Sequence, residues 1–422
     1  MEDHRLPTVL LQVQLRSGSL SEPSEAPGLA SMTADLLKEG AGSRNSLEIA
    51  QQLDRMGAGF FADAEFGTDV TNIGISGLSE HTDGLVSQLS DLVLRPTFPA
   101  EELRQYRERQ LASLAQQRAQ AGFLVNERFM QALYPNHPAH VIAPTEASLN
   151  KVTRDELARF HTQTYLPNNA ILAITGDVKM EEVIPKLEKA FGSWKAGTLQ
   201  SARPSEIKDS EAMRILLVNR PGSVQTNLKM GNVGLTRTDP DYVTVVVLNR
   251  ILGAESSSRL FLKLREELGY TYGAYSAFQL DSYRGPWSAS GEVRTDVTEP
   301  SLTEFINQIN KIRMEKVTAQ ELDLAKRSIV ARFALSLERP QSLTGRALEL
   351  RRFGLPADYW DKFPERVQSV TPEDIQRVAG KYLDPKKMQV VAVGDASKIR
   401  DTLKKFGEVV EYDVSGQPVK QP

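Results

Sequence analysis

The sequence predicts an α+β fold made of two tandem homologous domains, each an antiparallel sheet covered by helices on one face. Three observations lead there. One block of sequence recurs, strand-like and helix-like stretches are mixed without strict alternation, and the bulk composition is that of a globular chain, 40% hydrophobic and 25% charged. A length of 422 residues exceeds the usual size of one domain.

The recurrence is specific. Val152-Thr153-Arg154-Asp155-Glu156-Leu157 returns as Val370-Thr371-Pro372-Glu373-Asp374-Ile375, an offset of 218 (370 − 152). Pro167 returns as Pro385, and the apolar run Ala170 to Thr175 before Gly176-Asp177 returns as Met388 to Val393 before Gly394-Asp395. Each run leads into a helical pattern closing at Phe191-Gly192 or at Phe406-Gly407. Glu102-Leu103 and Glu321-Leu322 open two long helices at an offset of 219 (322 − 103). A repeat of this length implies two similar halves. Their expected limits are 1–196 and 213–422, joined by a polar linker over 197–212.

Within the halves, Val9 to Leu15, Thr71 to Ser76, Ala170 to Thr175, Met213 to Val218 and Met388 to Val393 read as strands. Leu47 to Met56, Glu101 to Ala119 and Ser301 to Ile312 read as helices, the second with Leu103, Tyr106, Gln110, Leu111 and Leu114 along one side. Gly57-Ala58-Gly59 lacks the strand–turn–helix setting of a phosphate loop and reads as a turn.

Several function classes drop out. A net charge of −3 without a dense Lys/Arg block gives no nucleic-acid surface. The absence of cysteine removes disulfides, thiolate nucleophiles and thiolate metal sites. No apolar run reaches membrane-spanning length. Of the five histidines, His137 and His140 form the one close pair, and Pro138 between them denies the helical spacing that a metal would need. Met1 leads almost at once into the first strand, so removal of a leader from a longer precursor is one expectation.

Further residues carry a family resemblance over nearly the whole chain. They are Pro27-Gly28-Leu29-Ala30, Arg44 with Leu47 to Gly57, and the strand ending Gly176-Asp177. The second half adds Pro221-Gly222-Ser223-Val224-Gln225, Asp239-Pro240-Asp241-Tyr242 and Ser258-Arg259-Leu260-Phe261 running into Leu264-Arg265-Glu266-Glu267. These resemble the pitrilysin/insulinase-type (inverzincin) zinc peptidases, in particular the short-chain branch of mitochondrial processing peptidase and its bacterial relatives.

Zinc-binding members carry H-x-x-E-H after the Gly-Leu-Ala. Two histidines four apart on a helix share a metal, and the glutamate is the general base. The matching positions here are Ser31, Ala34 and Asp35. The family's third ligand falls in the Glu101–Ala119 helix, where the window 110–115 reads Gln-Leu-Ala-Ser-Leu-Ala without an acid. The resemblance therefore implies a degenerate site, with no metal and no cofactor in this chain.

The second half keeps what the first has lost. The family pattern L-R-E-x-x-G-x-x-Y is met by Leu264 to Tyr272 without a gap. The resemblance assigns Arg265 and Tyr272 to substrate-carbonyl binding and oxyanion stabilisation, chemistry that suits a guanidinium and a phenol. Tyr270 lies close enough to compete for the role. Gly253-Ala254-Glu255-Ser256-Ser257 stands where non-catalytic subunits carry a glycine-rich substrate loop, which makes Ser257 and Ser258 candidates for substrate contact or, equally, for a helix cap.

The expected function is that of a subunit inactive alone, completing a heterodimeric metallopeptidase whose zinc-bearing homologous partner cleaves extended peptides. The alternatives are a structural core-type scaffold subunit and a peptide-binding homodimer. The resemblance and the abrupt start make a bacterial periplasmic location the expectation over a cytoplasmic one.

Overall fold

The computed structural model describes residues 1–199 and 206–419, so part of the expected linker lies outside the described residues. The chain forms two compact units.

In the first unit, strands β1 (Thr8–Leu15), β2 (Gly59–Asp63), β3 (Thr71–Leu78) and β4 (Ala170–Gly176) form a sheet in the order β2-β3-β1-β4, antiparallel throughout. Helices α1 (Leu29–Asp35), α2 (Ser46–Arg55), α3 (Thr82–Leu94), α4 (Ala100–Arg118) and α6 (Arg154–Thr164) belong to this unit, as does α7 (Met180–Phe191). The α4 stripe is buried at Leu103, Tyr106 and Leu114, as its spacing predicts.

In the second unit, strands β5 (Arg214–Asn219), β6 (Gln225–Val233), β7 (Thr271–Phe278), β8 (Pro286–Arg294), β9 (Gln389–Gly394) and β10 (Val409–Tyr412) are ordered β10-β5-β9-β6-β8-β7. This sheet is mixed rather than purely antiparallel, because β5 runs parallel to both β9 and β10. The strand β9, the helix α13 (Ala396–Lys404) and β10 make one crossover unit with β5 lying between its strands. A parallel connection of this kind needs an intervening helix, and α13 supplies it.

The repeat is visible residue by residue. Thr153 and Thr371 both cap helices, α6 and α12 (Pro372–Tyr382), each closing a capping box with the acid three residues on, Glu156 or Asp374. Pro167 and Pro385 both open single 3₁₀ turns, and each turn feeds the repeated strand, β4 or β9.

Two segments cross the boundary drawn at 197–212. Residues 116–140 pack in the second unit and residues 335–357 in the first. Each holds one helix, α5 (Ala121–Leu133) and α11 (Pro340–Phe353). Helix α5 lies on β9 and β6, and α11 lies on β4 and β1. Thus both sheets are covered on their second face as well, which corrects the expectation of one covered face. The cause is in the strands. Leu216 and Val218 of β5, and Val391 and Val393 of β9, are buried although they point away from the main core. A strand apolar on both sides needs cover on both sides.

Phe129 of α5 is fully buried. It seats against Gly231, where a Cβ would come within 3.0 Å of the Phe129 ring and 2.0 Å of the Trp287 carbonyl oxygen. Phe129→Ala is expected to lower the unfolding free energy by about 3–5 kcal/mol, read as a lower urea midpoint.

Candidate functional site

The first-half motif folds tightly. Gly28 adopts φ +96° at the start of α1, and a Cβ there would lie 2.9 Å from Pro144; glycine alone takes this conformation cheaply. The start of α1 is held by Glu22, whose carboxylate accepts from Gly28 N (2.9 Å) and Ala30 N (2.6 Å). Burial pushes the Glu22 carboxyl up to about 7, against the pull of those two donors. Sequence reasoning missed this residue, six positions before the glycine.

The three degenerate positions are occupied in ways that do not suit zinc. Ala34 is buried and carries no base. The Ser31 hydroxyl donates to the Gly28 carbonyl at 3.0 Å. The Asp35 carboxylate accepts from the Tyr106 hydroxyl at 2.6 Å. Burial raises the Asp35 carboxyl above its ordinary range, and the Tyr106 donor opposes that rise. Among the described residues, no three His, Asp or Glu side chains gather closely enough to hold a metal. A single carboxylate already bonded to a phenol falls short of the three ligands that a catalytic zinc needs. Tyr106 was legible only as one more member of the α4 stripe.

The histidine pair is local. His137 is buried, and its Nδ1 accepts from Ala139 N at 3.1 Å; the His140 ring bonds the His137 carbonyl at 2.8 Å.

In the second unit, residues Leu262–Glu267 form a π-helical turn that ends at Gly269, with φ +63°. Such turns often mark functional positions. Arg265 projects from it. Its Nη1 donates to the Tyr272 carbonyl at 2.8 Å, and its guanidinium carbon lies 5.7 Å from the ring centroids of both Phe261 and Tyr272.

Strand β7 carries one extra residue here. Ala274 pairs with Gly291 and Thr271 with Val293, so Tyr272 and Gly273 together oppose Glu292. This is a β-bulge. The Thr271 hydroxyl steadies it, accepting from Gly273 N at 3.1 Å and lying 2.6 Å from the Glu292 carbonyl. Strand alternation would otherwise put Tyr272 on the buried side with Ala274 and Ser276. The bulge instead leaves Tyr272 84% exposed. Tyr275 is exposed beside it, with its ring over Gly273 and 5.6 Å from Phe261. Tyr270 differs, since its side chain packs against the core.

The adjoining loop is pinned. Gly253 accepts from Ser276 N at 2.8 Å, and Asn249 Nδ2 donates to the Ser276 carbonyl at 2.9 Å. Ser258 is buried, and its hydroxyl donates to Glu255 O at 2.5 Å rather than capping the helix behind it. Ser257 is exposed. Glu255 ties the loop to Arg250, to Arg332 at 2.7 Å and to Ser328 at 3.0 Å. Arg259 makes a two-point contact with Glu321 at 2.7 and 3.0 Å. Although burial works against the Glu321 charge, Arg259 and Thr318 hold its carboxyl at about 2. With Ser276 engaged by the loop and the Tyr272 carbonyl by Arg265, the outer edge of β7 offers little room for an added strand. What this corner presents is side chains.

Comparison with known proteins agrees with this architecture. The family model "Insulinase (Peptidase family M16)" matches residues 1–144, and "Peptidase M16 inactive domain" matches residues 151–329. The chain belongs to the M16, insulinase-type, peptidase family, as a member without the family's zinc-and-base set. A crystal structure of a peptidase M16 inactive domain from Pseudomonas fluorescens superposes with a TM-score of 0.87 at 28% identity, over 93% of this chain and 94% of that one. The non-peptidase homolog YmxG of Helicobacter pylori is 24% identical over 89% of this chain and 86% of its own length. The uncharacterized zinc protease YmxG of Bacillus subtilis is 24% identical over 80% and 81%.

Tyr106→Phe leaves a half-buried carboxylate without its donor and is expected to cost about 1–3 kcal/mol at neutral pH. The loss should shrink on acidification. Asp35 binds its proton more tightly in the folded chain than in the unfolded one, so stability falls as pH rises through the folded value; the variant steepens that fall. Urea unfolding at acidic and neutral pH measures it.

Proposed function

We propose that this chain is the non-metal subunit of a two-chain M16 peptidase, supplying Arg265 and Tyr272 to an active site whose metal, base and water belong to a homologous partner carrying H-x-x-E-H. The observation that carries this reading is the contrast between the two halves. Of the positions matching the metal motif, Ala34 is buried, Ser31 is bonded to the Gly28 carbonyl and Asp35 to the Tyr106 hydroxyl, whereas Tyr272 is held out by a bulge beside a half-exposed guanidinium.

Peptide hydrolysis develops negative charge on the carbonyl oxygen of the scissile bond. Two donors of different geometry suit that oxygen. The Tyr272 hydroxyl donates along one direction, and the Arg265 guanidinium keeps further N–H groups beyond the one bonded to the Tyr272 carbonyl. Gly269 and the π-turn fix the spacing between them. Ser257 is the loop hydroxyl placed for substrate contact, while Tyr270 and Ser258 support the corner from beneath. The substrate is an extended peptide whose strand pairing takes place on the partner, in keeping with the closed outer edge of β7.

The test is reconstitution with the H-x-x-E-H chain that co-purifies from the native source. The isolated chain should cleave no peptide, and the mixture should. Arg265→Ala or Tyr272→Phe should lower turnover by about 10²–10³ while assembly, followed by light scattering, stays intact. Unchanged turnover in both variants would refute the reading and favour a scaffold subunit.

A further inference from the structure

Helices α3 and α7 of the first unit border a groove of about 720 Å³. Its size is that of a small-molecule site. The sequence explains the gap. Asp83, Val86, Ser87, Ser90, Asp91 and Leu94 fall on one stripe of α3, and Ala190 and Ser193 face it from the other side. Ser87, Ser90, Ala190 and Ser193 line it with short side chains. Ser90 is turned back on its own helix, its hydroxyl donating to the Ser87 carbonyl at 2.9 Å.

The chemistry of the lining is uneven. Val86, Leu94, Ala190 and Trp194 give an apolar wall. The Trp194 indole is fixed by its N–H, which donates to the Tyr165 carbonyl at 2.9 Å, and by contact with Phe191 at 5.9 Å between ring centroids. The rim is cationic, with Arg95, Lys186, Lys189 and Lys195 set against Asp83 and Asp91.

Both carboxylates are already compensated. Asp83 pairs with Lys186 at 2.5 Å, and Asp91 is shared between Arg44, at 2.7 Å, and Arg95. Lys189 and Lys195 have no ion-pair partner among the described residues, and both are exposed. The groove thus carries two uncompensated positive charges over an apolar wall, in a chain whose net charge is −3. Water against Leu94 and the indole is readily displaced by an apolar body, and the two ammonium groups at the rim attract an anionic head, an attraction that salt screens.

We infer that the α3/α7 groove binds a small organic anion, an aliphatic or aromatic body against Trp194 and Leu94 with its carboxylate, sulfonate or phosphate head between Lys189 and Lys195. This site lies wholly within the first unit and stands apart from the Arg265/Tyr272 corner, so it does not depend on the peptidase reading.

The test uses the full chain with anilinonaphthalene sulfonate as fluorescent probe, and decanoate and inorganic phosphate as competitors. The expected result is one saturable site, weakened by salt, from which decanoate displaces the probe and inorganic phosphate does so far less well. The double variant Lys189→Glu/Lys195→Glu should weaken binding about tenfold or more. Ser90→Leu should abolish binding by filling the gap. The lysine pair is on the surface and its replacement leaves folding intact, so the inference stays open to refutation even if Ser90→Leu fails to fold. Wild-type protein that gives no saturable binding, or a lysine variant that binds as wild type does, overturns it. Phosphate competing as well as decanoate would reduce the site to a patch of charge and overturn the part played by the apolar wall.

Discussion

One extra residue in β7 decides what the second unit presents to its surroundings. Strand side chains alternate with a period of two, so the residue two before Ala274 belongs on the buried side. Inserting Tyr272-Gly273 opposite the single Glu292 reverses that parity, and a phenol that would otherwise join the core stands in solvent. The neighbouring features follow from it. Arg265 can reach the Tyr272 carbonyl, the π-turn and Gly269 set the length of that reach, and Gly273 leaves the space over which the Tyr275 ring lies. Exposing a large aromatic side chain forgoes hydrophobic stabilisation of about 1.5–3 kcal/mol. Bulges commonly re-aim a side chain, and this one turns Tyr272 outward at that cost.

The first unit shows the opposite treatment of its motif positions. Gly28 starts α1 at a positive φ, and the Glu22 carboxylate holds that start through two backbone N–H groups. The side chains it presents have closed on themselves, Asp35 on Tyr106 and Ser31 on its own helix. A half-buried carboxylate satisfied by a phenol is a stable structural element. The scaffold has been kept while its chemistry has been replaced by packing.

Much of this was legible in the sequence. The offset between Val152 and Val370 located capping boxes, turns and strands that recur in both units, because a helix start and an apolar strand leave strong local marks. Three things left weaker marks. The continuous apolar runs of β5 and β9 carry a sign that both faces need cover, although the expectation from sequence was one covered face, and nothing local says that the cover comes from the other half of the chain. The bulge depends on the register between β7 and β8, which no single segment specifies. Tyr106 looked like a core residue because its position in the α4 stripe is a core position; its hydroxyl acquires a role only through Asp35, far away in sequence. The same limit hid Glu22 and Glu255, whose partners are set by loop paths rather than by periodicity.

The account rests on the claim that this polypeptide coordinates no metal of its own. The most direct measurement is equilibrium zinc content, by plasma mass spectrometry, of the isolated chain after chelation, zinc readdition and dialysis. The account predicts no stoichiometric zinc, with Asp35→Ala indistinguishable from the unaltered chain. One tightly held zinc per chain, lost on Asp35→Ala, would contradict it.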